Sequence, residues 1–206
     1  MKPGDTAAIL SETQSRPVNV QLAELALARL GARVFHVVLT SPKLSAPVPV
    51  RSTGASDAIG ALAPVIQALA ASVFVADLTV EGLLHAPELP QILGGGARVL
   101  MVSNEHPEVL ERCRCDPALE ARVKAGMKRL KSARTMEVTS PAGTRLAISL
   151  VDARVGGGWG FTARPGSISH WPGGLCLAFP AKGSVNGTLV MNEGDVNLTF
   201  KRYLEK

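Results

Sequence analysis

The sequence contains few of the residues from which several common kinds of site are built. Aromatic residues make up 4% of its 206 residues, and there are only three cysteines and four histidines. An odd number of cysteines, of which Cys113 and Cys115 form a C-x-C pair, does not make a disulfide framework. No histidine or cysteine cluster lies near that pair to complete a metal site. We therefore expect free thiols, as in a protein of the cytoplasm.

Long hydrophobic runs are missing as well. One of the longest, residues 68–76, is far shorter than the roughly 20 residues that a membrane-spanning helix needs. The first residues do not combine a charged segment with a long apolar core, which is the pattern of a secretory signal. The sequence therefore predicts no membrane partner. Hydrophobic residues nevertheless make up 46% of the chain, which is enough for a sizeable core.

The positive charge of the chain is concentrated in one segment. The formal net charge is +5, and many of the basic residues lie between positions 112 and 134. Glu111, Asp116 and Glu120 interrupt this segment, and it has no interleaved aromatic residues on which bases could stack. The pattern favours a solvated helix face over a nucleic-acid surface, so we expect no nucleic-acid partner.

Short apolar runs alternate with helical patterns in residues 1–132. The runs 7–10, 34–39, 73–76 and 98–102 are typical of buried strands, and 18–30, 56–71, 108–112 and 118–130 of helices. This alternation predicts an α/β fold, in which a mostly parallel sheet is flanked by helices. Ser56 is the expected cap of the second helix.

Residues 133–206 have a different character. Residues 135–139 and 145–151 alternate in hydrophobicity and are joined by a turn-like segment, and short strands are expected at 175–179, 187–191 and 196–200. We expect a smaller β-rich unit here, the start of a longer second domain. The boundary is placed near Ser132.

Two of the four histidines are candidates for chemistry. His85 follows the expected strand at 73–76, and parallel sheets bind ligands at the carboxyl ends of their strands. His170 lies in a loop with Trp171 and Gly173, where a ring could stack and a backbone could approach a ligand. Packing roles for both histidines remain open alternatives.

The other two histidines are expected to be structural, and no metal set is visible. His36 lies inside an apolar strand, and His106 precedes Pro107 at the expected start of a helix. The spacings H-x-H, H-x-D and H-E-x-x-H do not occur in the sequence. The sequence therefore predicts no set of metal ligands within this chain.

Several segments resemble one enzyme family. They are residues 84–88 (LHAPE), 91–93 (QIL), 170–174 (HWPGG) and 187–190 (GTLV), the last running on through Gly194-Asp195 to Phe200-Lys201. Together they are similar to the 2,5-dihydroxypyridine 5,6-dioxygenase family, over nearly the whole chain. The wider superfamily also contains aminopeptidase T-like metallopeptidases, which have a metal-binding glutamate where this chain has Leu175.

The resemblance implies a function and a set of site residues. In the family, a mononuclear Fe(II) and dioxygen open the ring of 2,5-dihydroxypyridine to N-formylmaleamate. The iron ligands, two histidines and an aspartate, are expected in a C-terminal portion that this chain lacks, so the chain alone is expected to be inactive. By resemblance, His170 and His85 are catalytic, and Leu84, Trp171 and Gly173 bind the substrate. A homo-oligomer is expected.

One departure from the family pattern keeps alternatives open. The family has a glutamate before the H-W-P motif, and the corresponding position falls near Gly158, with no carboxylate closer than Asp152. The general base is therefore expected to be missing, and the substrate to differ. The alternatives are a metallopeptidase relative and a small-molecule-binding module without catalysis.

Overall fold

The structure of the protein, a computed structural model, describes residues 1–43, 55–114 and 116–193. The expected strand at 196–200 and Cys115 lie outside the described residues. The described chain forms two compact units. The first comprises Met1–Asp116 and Gly160–Gly173, and the second Pro117–Trp159 and Gly174–Lys206.

The first unit contains a five-stranded parallel sheet with the order β2-β1-β3-β4-β8. Its strands are β1 (Thr6–Glu12), β2 (Arg33–Leu39), β3 (Phe74–Asp77), β4 (Arg98–Met101) and β8 (Ile168–His170). The helices of this unit are α1 (Pro17–Arg29), α2 (Ala63–Ala70), α3 (Leu89–Gly94) and α4 (Pro107–Arg112). The expected fold class is confirmed for this part of the chain.

Helices cover both faces of the sheet, which explains the apolar character of β1. Ala8 and Leu10 pack in one hydrophobic cluster with residues of α2 and α3, while Ala7 and Ile9 pack in a second cluster with Leu27 of α1. All four of these β1 residues are fully buried. A strand buried on both faces is a continuous apolar run instead of an alternating one.

The expected start of the second helix is wrong. The helix begins at Ala63, because Gly60 and Ala61 adopt positive φ angles of 53° and 59° that end the preceding turn. Ser56 does not cap this helix. Its hydroxyl instead donates a hydrogen bond to Glu12 Oε1 at 3.0 Å.

The second unit is a helix with two antiparallel sheets. Its elements are α5 (Ala118–Ser132), β5 (Thr135–Thr139), β6 (Arg145–Ser149), β7 (Arg154–Gly158), β9 (Leu175–Phe179) and β10 (Val185–Thr188). The sheets have the orders β10-β6-β5 and β7-β9. α5 packs on β7, where Gly157 leaves room for Val123 and Met127. The predicted smaller β-rich unit is confirmed.

The chain returns to the first unit at β8, a segment that was expected to be a loop. The compact units therefore differ in two ways from the sequence-based division at residue 132. Residues 160–173, which include β8, belong to the first unit, and α5 belongs to the second unit. That residues 1–132 and residues 133–206 form two separate domains stays a prediction. None of the described helices is long and apolar enough to cross a membrane.

Candidate functional site

The carboxyl ends of three neighbouring strands bring the candidate residues to one edge of the sheet. Asp77 of β3 is the register partner of Met101 in β4, and Met101 is the register partner of His170 in β8. Residues in register on parallel strands direct their side chains to the same face of the sheet. His170 therefore lies in one row with Asp77 and Met101, at the edge where parallel sheets hold their ligands.

β8 and the backbone that follows it hold His170 in place. The amide of Trp171 donates to the carbonyl of Met101 at 2.9 Å, which extends the pairing with β4 by one residue. Ser169 is buried, and its hydroxyl accepts a hydrogen bond from the amide of Gly160 at 3.2 Å. His170 itself is half-buried, so the residue is still partly reached by solvent.

The two other candidates in this segment differ in exposure. Trp171 is 8% exposed, so most of its ring is already in contact with protein. Gly173 is half-buried and has a φ of +79°, a backbone conformation that a residue with a Cβ rarely adopts. The peptide bond between Trp171 and Pro172 is cis.

A buried aspartate organises the loop between β3 and α3. Asp77 is 0% exposed, and its Oδ1 accepts hydrogen bonds from the amide of Thr79 at 3.1 Å and from its hydroxyl at 2.7 Å. Oδ2 accepts from the amide of Leu83 at 2.7 Å. The amide of Gly82 donates to the Thr79 hydroxyl at 3.0 Å. Both carboxylate oxygens are thus occupied by the loop.

A second carboxylate holds the same loop from β1. Glu12 is buried, and its Oε1 accepts hydrogen bonds from the amide of Val80 at 3.1 Å and from the Ser56 hydroxyl. The amide of Ser56 in turn donates to the carbonyl of Gly82 at 2.8 Å. Residues 79–83 of the loop are therefore held by groups of three different segments, namely β3, β1 and the segment of Ser56.

The loop packs against the end of β4 at Gly82, three residues before His85. Gly82 has a φ of +78°, and a Cβ at this position would clash with Met101 Sδ and lie 2.6 Å from Ser103 Oγ. Leu83 is fully buried in the core, whereas Leu84 is half-buried and His85 is exposed. Three residues span at most about 11 Å, so His85 is confined to the neighbourhood of Met101, the register partner of His170.

Burial dominates the electrostatics of this edge. The pKa of Asp77 is raised from the usual 3.8 to about 6, chiefly by burial and to a smaller extent by the nearby charge of Glu12. The hydrogen bonds from Thr79 and Leu83 favour the ionised form and oppose that shift. Sequence reasoning directed attention to the loop after this strand but missed both carboxylates. The available signal was an acidic residue within two positions of the end of each of two apolar runs, 7–10 and 73–76.

The remaining histidines have structural partners, as the sequence predicted. His36 Nε2 lies 3.3 Å from Glu24 Oε2 and joins β2 to α1, at the opposite edge of the sheet from β8. His106 precedes α4, and its Nδ1 accepts a hydrogen bond from the amide of Glu108 at 3.3 Å.

The described residues do not fit an iron site. Within them, no group of three or more histidine, cysteine, aspartate or glutamate side chains could hold a metal ion. Asp77 and Glu12, two buried carboxylates at the carboxyl ends of β3 and β1, already accept hydrogen bonds from the loop. Leu175 is the first residue of β9 and cannot coordinate a cation.

Comparisons with known proteins point to one family. The family model described as 2,5-dihydroxypyridine 5,6-dioxygenase (NicX) matches residues 1–206. A curated 2,5-dihydroxypyridine 5,6-dioxygenase of Pseudomonas putida KT2440 is 36% identical over 203 residues, which are 96% of this chain and 56% of the relative. The solved structure of the 2,5-dihydroxypyridine dioxygenase from the same strain has a TM-score of 0.81 at 33% identity, covering 97% of this chain and 57% of that one. The chain thus spans a little more than half the length of these relatives.

Proposed function

The chain belongs to the 2,5-dihydroxypyridine 5,6-dioxygenase family, and on that premise we propose that it forms the substrate-binding part of a ring-cleaving dioxygenase. Its substrate would be 2,5-dihydroxypyridine, which the family opens to N-formylmaleamate, or a similar hydroxylated pyridine. The observation that carries the proposal is the match along the whole chain. It is supported by two candidate histidines at the carboxyl edge of one parallel sheet, the usual ligand-binding edge of such a fold.

In this proposal, His170 and His85 bind the polar groups of the substrate. A neutral imidazole has one N–H donor and one nitrogen acceptor, so it can bind a ring hydroxyl and also accept its proton. His170, held between β4 and the Gly160 segment, is assigned the proton of a ring hydroxyl. His85, exposed on the fixed loop, is assigned a hydrogen bond to the substrate or to bound dioxygen.

Three neighbouring residues are proposed to fit the ring itself. Half-buried Leu84 offers an apolar surface next to His85. Gly173 has no side chain, so a flat ring could approach its backbone closely. Trp171 is mostly buried, so its contribution is the exposed edge of the indole and the stiffness of the segment after His170.

Iron enters the proposal only through the family. Fe(II) would supply the activation of dioxygen, but the described residues lack a group of ligands for it, and its ligands would have to come from elsewhere. The part of this chain is therefore to bind the substrate, orient it and handle its protons. The same observation favours a second candidate, a module that binds the aromatic ligand without turnover. Leu175 and the family match disfavour a metallopeptidase.

Two further properties belong to the same proposal. Cys113 and Cys176 are free thiols, which fits the reducing cytoplasm. Exposed apolar side chains of the second unit, among them Leu175 and Phe179, fit burial in a homo-oligomer.

Isothermal titration calorimetry of the chain with 2,5-dihydroxypyridine tests the proposal. We expect His170→Ala and His85→Ala each to weaken binding by about 3- to 10-fold, because a net hydrogen bond contributes about 0.5–1.5 kcal/mol. His36→Ala is the matched control, since His36 lies at the opposite edge of the sheet, and it should leave the affinity unchanged. If the chain does not bind the compound, or if the three variants bind it equally well, the proposal is wrong.

A further inference from the structure

The loop between β3 and α3 depends on one side chain more than on any other described group. Asp77 accepts three hydrogen bonds from Thr79 and Leu83, which are the second and the sixth residues after it. The Thr79 hydroxyl, which donates to Asp77, also accepts from the amide of Gly82. The carboxylate therefore fixes, directly or through one hydroxyl, three of the residues that precede Leu84.

The position of His85 follows from this arrangement. The Leu83 side chain is fully buried in the core, and its amide donates a hydrogen bond to Asp77 Oδ2. The backbone is therefore fixed at Leu83, directly before Leu84. Leu84 and His85 come next, without a glycine between them and Leu83. A change at Asp77 would therefore be transmitted to His85 over two residues.

We propose that Asp77 is a positioning residue, whose carboxylate holds the loop so that Leu84 and His85 face the end of β4 and the strand of His170. The inference rests on the proposed function for its meaning, since it assumes that these residues form a substrate site. Asp77 is fully buried. Its effect on the site passes through the loop.

A carboxylate suits this task better than other side chains of its size. The loop offers three donors to Asp77, and an ionised carboxylate has acceptors on both of its oxygens. An asparagine would direct its NH₂ group at one of these donors, and an apolar residue would leave all three without a partner in the core. Burial and the neighbouring charge of Glu12 raise the pKa of Asp77, so the charged acceptor is kept at an energetic cost.

The four histidines of the chain provide the readout. Their imidazole Cε1–H signals in an NMR spectrum report on His36, His85, His106 and His170 separately. We expect Asp77→Asn to shift or broaden the His85 signal, while those of His36 and His106 stay in place because their partners are Glu24 and the start of α4. Amide exchange at Leu83 should accelerate by about 10-fold or more, relative to the amide of Ala8 in β1.

A pair of substitutions at Thr79 keeps the test decisive if Asp77→Asn does not fold. Thr79→Val removes the hydroxyl that donates to Asp77 and accepts from Gly82, whereas Thr79→Ser retains it. We expect the valine variant to reproduce the changes at His85 and Leu83, and the serine variant to resemble the unaltered protein.

Two results would overturn the inference. In one, the His85 signal is unchanged while the Leu83 hydrogen bond is lost. In the other, all four histidine signals move together and the amides of Leu83 and Ala8 accelerate by the same factor, which is the pattern of a general loss of stability. These measurements need no ligand. A failure to bind 2,5-dihydroxypyridine would therefore count against the proposed function and leave the inference about Asp77 to its own test.

Discussion

The Asp77 carboxylate is buried, and burial disfavours its ionised form. Its pKa is raised to about 6, chiefly by burial and to a smaller extent by the charge of Glu12. Because the pKa in the folded state is above that in the unfolded state, the contribution of Asp77 to stability is greatest below pH 3.8 and is lost as the pH rises through about 6. Near neutral pH the folded protein therefore holds an anion that water would solvate better.

This sign gives a pH dependence that can be measured against a variant. The free energy of unfolding of the unaltered chain, minus that of Asp77→Asn, should decrease by roughly 2–3 kcal/mol between pH 4 and pH 7. Urea unfolding at several pH values measures this difference, in which the contributions of carboxylates far from Asp77 cancel. The NMR titration of the Asp77 carboxyl carbon should have its midpoint near 6. A difference that is constant with pH would contradict the assignment.

At the scale of residues, the sequence identified the histidines of the candidate site but not the carboxylates that hold it. His85 and His170 could be found because histidine is rare in this chain and both lie among proline and glycine residues. Asp77 has no such signal, because its burial and its three donors depend on how the loop folds back over the strand end. A single charged residue after an apolar run is equally typical of an exposed loop.

At the scale of elements, apolar runs located the strands well and short or irregular segments poorly. β1 to β4 were predicted within two residues at each end, and β1 was found most easily because a strand buried on both faces is apolar throughout. β8 has only three residues, and its pairing with β4 could not be inferred from a segment rich in serine and glycine. The spacing of apolar residues in α1 did not show which face of this helix is buried either. Val18 and Leu25 are 43% and 67% exposed, while Leu27 is buried.

The contact between α5 and β7 depends on the absence of one side chain. A Cβ on Gly157 would lie 2.6 Å from Val123 Cγ1 and 2.8 Å from Met127 Sδ, whereas a Cβ on Gly158 would meet nothing within 4 Å. Neither glycine has a positive φ angle, so the two positions differ in space and not in backbone strain. They are therefore a matched pair within one strand.

We expect Gly157→Ala to lower the free energy of unfolding by about 1–3 kcal/mol, because it overpacks the contact of α5 with β7. Gly158→Ala should be neutral or slightly stabilising, since alanine loses less backbone entropy than glycine in a strand. Thermal unfolding of the two variants, followed by circular dichroism, makes the comparison. Equal melting temperatures would mean that α5 does not pack on β7 as closely as described.

At the scale of the whole molecule, two compact units carry different parts of the resemblance. The first unit contains the HWPG segment, which begins at the last residue of β8, together with the loop of Leu84 and His85. The second unit contains α5 and the antiparallel sheets, and the whole chain corresponds to 56% of the length of the curated relative. Residues proposed to bind the substrate are thus gathered in one unit, although two segments far apart in the sequence supply them.

The acidic, histidine and cysteine side chains of the described residues lead to an expectation about iron binding. Among the described residues, no three side chains of the kinds that bind iron come together, so the chain alone should not hold the metal in stoichiometric amount. After anaerobic incubation with Fe(II) and gel filtration, elemental analysis should find well under one iron per chain, and the purified chain should not cleave the ring of 2,5-dihydroxypyridine. Its affinity for this compound should be the same with and without Fe(II), because the binding residues proposed here do not include a ligand of the metal. One tightly bound iron per chain that is lost in both His85→Ala and His170→Ala would show that these histidines are ligands, and their assignment as proton-handling groups would have to be abandoned.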